Sequence, residues 1–330
     1  MRKKEKKILI LLIIISIILL NLYLIKDKIG FYINIGRKYT KYLNEEYINY
    51  NNDSYNKDNI DKINSINYLD VEYKNVNGKS LKLDIYGPEK DLKKGSPVII
   101  YIHAGGWAYG NKEIPKTIEP IIRPFREEGY TIISVEYELM DKNEIFEKQV
   151  SDIKDCIRWI YKNKEVYDFD TENIGIIGIS SGAHLGMMAS YSEDEDFVGT
   201  YELKDYPSKV KYMIDLFGPT DLSTLEESLS KFNLEKTVLN SLIDKQEIIA
   251  KFSPINYIKN RETNTLIIHS KKDDIVPYEN SEKLYNKLKE NNSKVEMLTL
   301  DETSHDFSSS NDKELIEIGL RIFKYIAKNM

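Results

Sequence analysis

The segment Ile174-Gly175-Ile176-Ile177-Gly178-Ile179-Ser180-Ser181-Gly182-Ala183-His184-Leu185 carries an apolar, β-type run into a glycine-framed turn and directly on into a helical pattern. A turn this tight leaves no room for side chains where strand and helix come together, so glycine is required two residues before and two after its centre. Its central residue is held in a strained backbone conformation, with its side chain projecting off the end of the sheet. The spacing predicts a nucleophile elbow centred on Ser180, which has Gly178 and Gly182 at the two framing positions. Ser181 would need glycine at Ile179 and Ala183, where side chains would crowd the turn.

Such an elbow requires strands alternating with helices, and the chain supplies them. Leu81–Tyr86 alternates like a half-buried strand and ends at Gly87-Pro88. The apolar runs Val98–His103, Thr131–Val135, Ile174–Ile179, Met213–Phe217, Leu266–His269 and Val295–Leu300 follow as further strands. Helical patterns lie between them near 116–128, 146–163, 182–191, 279–291 and 313–328. This order predicts an α/β fold with a mostly parallel sheet flanked by helices on both faces. Residues 222–249 are polar, helical in pattern and without strand signal, so they read as a small lid or a surface helix.

The chain has 330 residues, enough for one large core with additional segments. The net charge of −6 is spread along the chain, so nucleic acid is not an expected partner. Cys156 is the single cysteine, which excludes an intramolecular disulfide and a cysteine-based metal site. It falls among Val150, Ile153, Ile157 and Ile160 at helical spacing, as a small residue of a buried helix face.

At the N-terminus, Arg2, Lys3, Lys4, Lys6 and Lys7 precede an apolar stretch from Ile8 to Ile25. As a helix it would span roughly 27 Å, close to the thickness of a bilayer's hydrocarbon core. Lys26-Asp27-Lys28-Ile29-Gly30 offers no small-residue cleavage site, which favours an uncleaved anchor over a signal peptide whose removal would leave a secreted enzyme. The basic cluster would remain cytoplasmic and place the remainder of the chain outside the cytosol. The expected organisation is an anchor at 1–25, a stalk or partly helical linker at 26–67 without sustained apolar period, and a globular domain at 68–330.

A serine hydroxyl needs a base to take its proton, and the base needs an acid to orient it. Among the four histidines, His305 follows the last strand and precedes the final helix, which is the base's place in the chain order Ser, Asp, His. His184, His269 and His103 read as structural: His184 within packed structure, His269 bracing the acid's loop, and His103 shaping the loop it opens. The acid should follow the strand Leu266–His269, where Asp273 and Asp274 are adjacent, with Asp221 a more remote choice. His103-Ala104-Gly105-Gly106-Trp107 follows another strand end. Its glycine N–H groups, at Gly105 and Gly106, together with the N–H of Ser181, would form an oxyanion hole.

These motifs resemble those of the α/β-hydrolase esterases and lipases, whose oxyanion loop reads His-Gly-Gly-Gly-Trp or -Phe. The similarity runs over most of residues 70–330, and is greatest to the small acetyl- and feruloyl-esterase-like branch without a large cap domain. In that branch a His-Gly-x-x-Asp-x-x-Val-Pro motif carries the acid, and laying it on His269–Pro277 implies Asp273. Ala104, Ala183 and Ser270 replace family glycines, and Glu138 stands where arginine is common. The resemblance implies a serine carboxylesterase acting on short-chain, acetyl-like esters through Ser180, Asp273 and His305, with no metal or cofactor. The alternatives are a serine peptidase or amidase on the same fold and a non-catalytic surface binding protein.

Overall fold

The computed structural model describes residues 26, 28–44, 67–76, 78–140, 146–225, 245–258 and 263–330. Its centre is an eight-stranded sheet: β1 (Asn67–Val76), β2 (Lys79–Tyr86), β3 (Ser96–Ile102), β4 (Thr131–Val135), β5 (Phe169–Ile179), β6 (Tyr212–Leu216), β7 (Asn264–Ser270) and β8 (Val295–Leu300). The spatial order is β1-β2-β4-β3-β5-β6-β7-β8. Strands β1 and β2 pair antiparallel, β2 pairs antiparallel with β4, and every pairing from β4 to β8 is parallel.

Every residue of β3, β4 and β6 is buried, as expected of parallel strands covered on both faces. Successive side chains divide between two cores. Val98, Ile100 and Ile102 of β3 join the core on one face, with residues of α3 (Glu147–Lys162), α5 (Ser181–Tyr191) and α7 (Glu279–Glu290). Between them along the chain lie the short helices α4 (Lys164–Tyr167) and α6 (Lys245–Lys251). Ile99 and Tyr101 face the other core, with residues of α1 (residues 28–44), α2 (Glu119–Glu127) and α8 (Asp312–Asn329). Cys156 of α3 is fully buried, and burial pushes its thiol well above the usual range.

The strands expected from the sequence are present, and β1 is an additional one. A larger difference lies in the segment expected to be a stalk or partly helical linker, which docks on the domain. Residues 28–44 form a helix whose Phe31, Ile35, Tyr39 and Tyr42 are buried. Phe31 packs on Phe125 and Tyr130, with ring centroids 6.4 and 5.8 Å away. Tyr39 meets Phe323 edge-on at 5.1 Å and donates its hydroxyl hydrogen bond to the Leu315 carbonyl. Gly319 leaves the space that Tyr39 fills, since a β-carbon there would lie 2.2 Å from the tyrosine ring. Lys28 donates to the carbonyls of Lys328 and Met330, groups that a helix end leaves without an internal acceptor role. The apolar positions recur at i, i+4 and i+8, but Asn, Lys and Tyr between them dilute the pattern, so composition alone suggests a linker.

No helix among the described residues is long and apolar enough to cross a membrane, and the expected span at 8–25 lies outside them. Most of the suspected lid, residues 226–244, also lies outside them. Within it, Leu222–Thr224 forms a single short turn and α6 its other end.

If α1 belongs to the cooperative unit, Ile35→Ala should cost about 2–5 kcal/mol, as buried isoleucine truncations do. Denaturant unfolding of the chain from residue 26 measures this, and a loss under about 0.5 kcal/mol would mean that α1 docks without contributing.

Candidate active site

The parallel strands β3 to β8 end at the same rim, so the loops that follow them converge there. At the end of β5, Ser180 has φ 52° and ψ −120°, a conformation that costs a non-glycine residue about 1–3 kcal/mol. The surroundings impose it. The Ser180 N–H donates to the Leu216 carbonyl, and the Ser180 carbonyl accepts from the His184 N–H. A β-carbon on Gly178 would lie 2.6 Å from Ala183 Cα, and one on Gly182 would lie 2.3 Å from the Ile102 carbonyl oxygen. Both framing glycines are therefore required by close backbone approach, as their spacing predicts.

Ser180 Oγ donates to His305 Nε2 at 2.8 Å, and His305 Nδ1 donates to Asp273 Oδ2 at 2.8 Å. The three side chains lie on loops after β5, β8 and β7. Asp273 Oδ1 accepts from the N–H groups of Ile275 and Val276 at 2.9 and 2.8 Å. His269 Nε2 lies 3.0 Å from both Asp273 Oδ2 and the Val276 carbonyl, while its Nδ1 accepts from Ser281. Burial alone would raise the Asp273 carboxyl. The hydrogen bonds from His269 and His305 outweigh it and hold the group well below the usual carboxylate range. Asp274 is exposed, and Asp221 caps a short turn by accepting from Ser223.

The loop bearing His305 is braced from α8. Glu314 accepts from the N–H groups of Asp301 and Glu302 and from the Thr303 hydroxyl. Below His305 sits Phe217, after β6, which meets the His305 ring edge-on at 6.0 Å and Phe307 at 4.9 Å. The sequence places Phe217 at the end of the strand Met213–Phe217, in a stretch similar to the esterase family, but assigns it no contact with His305.

After β3, Gly105 has φ 138°, and a β-carbon there would lie 2.0 Å from the Tyr109 carbonyl oxygen. Its carbonyl accepts from the N–H groups of Ala108 and Tyr109, closing the loop into a tight turn. Among the described residues the N–H groups of Gly105 and Gly106 have no backbone acceptor, and that of Ser181 opens α5, where none exists within the helix. His103 stacks on Tyr137 at 4.3 Å and donates from Nδ1 to the Ala104 carbonyl, which shapes the loop as expected.

Trp107, at φ 63°, donates from its indole to His184 Nδ1 at 3.1 Å, and His184 Nε2 donates to the Phe252 carbonyl at 2.7 Å. His184 is fully buried, and burial pushes it down to about 4, so at neutral pH the ring is uncharged and Nδ1 accepts.

An open cleft of about 920 Å³ is lined by Ser180, His305, Gly105 and Gly106, with Tyr101 and Ile118 among its apolar walls. This is within the size range of sites that hold drug-sized ligands.

Comparison with known proteins places these features in a group. The model of the family described as BD-FAE matches residues 83–288. The chain is similar to Esterase LipC of Mycobacterium tuberculosis, 24% identical over 68% of this chain and 56% of that protein. It is also similar to a probable isoprenylcysteine alpha-carbonyl methylesterase of Oryza sativa subsp. japonica, 23% identical over 68% of this chain and 55% of that protein. The chain thus spans little more than half the length of these curated relatives. Among solved structures, a truncated carbohydrate esterase from gut microbiota superposes with TM-score 0.66 at 23% identity, covering 80% of this chain and 97% of that one. Thermogutta terrifontis esterase 2 phosphorylated by paraoxon superposes with TM-score 0.62 at 20% identity, covering 78% and 92%. These structures share the α/β-hydrolase fold.

Beside the elbow, Asp215 of β6 is fully buried. Its Oδ1 accepts from the Gly218 N–H and its Oδ2 has no partner among the described residues. Burial pushes the carboxyl up to about 8, against 3.8 for an ordinary aspartate. Folded protein keeps this proton up to about pH 8 while the unfolded chain releases it near pH 4. Stability therefore falls as pH rises through that window and levels off above it. Asp215→Asn keeps the oxygen that Gly218 needs and removes the titration. Its stability relative to the parent should rise steadily from pH 5 to pH 8 in denaturant unfolding, and a constant difference would show Asp215 already ionised in the fold.

Proposed function

The chain belongs to the BD-FAE family, within the α/β-hydrolase serine esterases, and from that premise we propose that it hydrolyses carboxylic esters with Ser180 as nucleophile. The observation that carries this reading is the hydrogen-bonded chain from Ser180 Oγ through His305 to Asp273 at the mouth of an open cleft.

In the proposed reaction, Ser180 Oγ attacks the ester carbonyl while His305 Nε2 accepts its proton. The imidazolium that forms is stabilised by Asp273, whose carboxylate is kept ionised by its four donors. Negative charge on the carbonyl oxygen is met by the N–H groups of Gly105, Gly106 and Ser181 and by the positive end of α5. His305 then gives its proton to the departing alcohol, leaving an acyl-enzyme. Water attacks that intermediate while His305 takes its proton, the bond from the acyl carbon to Ser180 Oγ breaks, and His305 returns the proton to Oγ as the carboxylic acid leaves.

The acyl group of the substrate is short in this reading and the alcohol bulky. The cleft volume far exceeds an acetyl group, which leaves most of it for the other half of the ester. The basic cluster before the apolar stretch Ile8–Ile25 supports a single-pass membrane anchor with the catalytic domain outside the cytosol.

The decisive experiment compares p-nitrophenyl esters from acetyl to decanoyl, turned over by the chain from residue 26 and by its Ser180→Ala variant. The parent should favour the shortest acyl chains, and the variant should lose on the order of 10⁶ in kcat. Equal activity of the two proteins would overturn the assignment of Ser180. A preference for decanoyl esters would overturn the short-chain reading alone.

A further inference from the structure

The oxyanion donors come from two separate elements: Gly105 and Gly106 from the loop after β3, Ser181 from the first turn of α5. A transition-state oxygen benefits from all three only if those elements keep a fixed spacing, and a misplacement of 1 Å can cost 10²-fold. Backbone contact between the two elements exists at Gly182, which lies against the Ile102 and His103 carbonyls. What ties the loop's far side back to α5 is a side-chain link outside the reacting groups.

Trp107, the residue after Gly106, is in a left-handed conformation unfavourable for a residue with a β-carbon. Its carbonyl accepts from the Gln149 side chain and the Met140 N–H, both at 2.9 Å. Its indole meets Phe146 and His184 edge-on, at 5.2 and 5.3 Å. The indole N–H reaches His184, three residues after Ser181 on α5, and His184 in turn reaches the Phe252 carbonyl. His184 is 0% exposed, and both of its nitrogens are occupied by this link.

Resting on the esterase reading above, we propose that His184 is a positioning residue that locks the oxyanion loop to the nucleophile helix through Trp107. Its imidazole receives one hydrogen bond and passes on another, a task that requires an acceptor and a donor on opposite edges of one rigid ring. Phenylalanine supplies the shape without either bond. Glutamine supplies an acceptor and a donor on a more flexible stem.

The test uses the full chain, p-nitrophenyl acetate, and the variants His184→Phe, His184→Gln, Trp107→Phe and the double variant His184→Phe/Trp107→Phe. His184→Phe should lower kcat about 10- to 100-fold with KM changed less than threefold. His184→Gln should recover most of that loss. The double variant should be no slower than the slower single variant, because both break one link. Far-ultraviolet circular dichroism and melting temperature select the variants that remain folded, and His184→Gln and Trp107→Phe retain the test if His184→Phe does not fold. Unchanged kcat in the folded variants, or losses that multiply in the double variant, would overturn the inference. A parent chain inactive toward every ester would instead overturn the esterase reading on which it rests.

Discussion

The close approach of three backbones at the elbow is the constraint on which the rest of the site depends. Gly182 comes so near the end of β3 that a single methyl group would overlap the Ile102 and His103 carbonyls, and Gly178 is as tightly placed against α5. That contact forces Ser180 into its positive-φ conformation and also fixes where the oxyanion loop begins, since His103 opens it. One packing requirement thereby sets both the position of the hydroxyl and the origin of the donors that must face it. Strain at Ser180 is held by the sheet, through the hydrogen bond from its N–H to Leu216.

The acid illustrates how burial and hydrogen bonding oppose each other. A carboxylate with a side chain as buried as that of Asp273 would ordinarily hold its proton, as Asp215 does on β6, the strand beside the one that Asp273 follows. The difference lies in the number of donors. Asp273 receives two backbone N–H groups and two imidazoles, whereas Asp215 receives one N–H. Two buried aspartates of one domain are therefore pushed in opposite directions, and the one held low lies beside His305.

Much of this was legible in the sequence because it depends on short-range chemistry. The elbow spacing, the Gly105–Gly106 pair and the chain order Ser, Asp, His all sit within a few residues of a strand end, where pattern and geometry coincide. Between Asp273 and Asp274 the residues alone could not decide, since adjacent carboxylates differ only in which way the loop turns. The structure turns Asp273 inward because its Oδ1 caps the N–H groups of Ile275 and Val276. What escaped the sequence reading are contacts between segments far apart: Phe217 beneath His305, Trp107 bonded to His184, and α1 against Phe125, Tyr130 and Phe323. Each involves an aromatic whose partner no local period reveals, and α1 is further obscured by the polar residues between its buried positions.

The four histidines show how one residue type is sorted into different tasks by what its two nitrogens meet. His184 is satisfied on both sides by fixed groups, an indole and a carbonyl, in a fully buried site. His269 is likewise enclosed, between Ser281 on one side and Asp273 with the Val276 carbonyl on the other. His103 uses Nδ1 on its own loop and its ring face on Tyr137. His184 and His269 are 0% exposed and do not line the cleft, so no reacting group there meets their nitrogens. His305 alone has one nitrogen bonded to a carboxylate and the other to a hydroxyl that lines the cleft, with its side chain 11% exposed. In the proposed reaction it would exchange a proton with Ser180 or with the departing alcohol while its Asp273 bond persists, which would assign proton transfer and positional stability to opposite edges of the same ring.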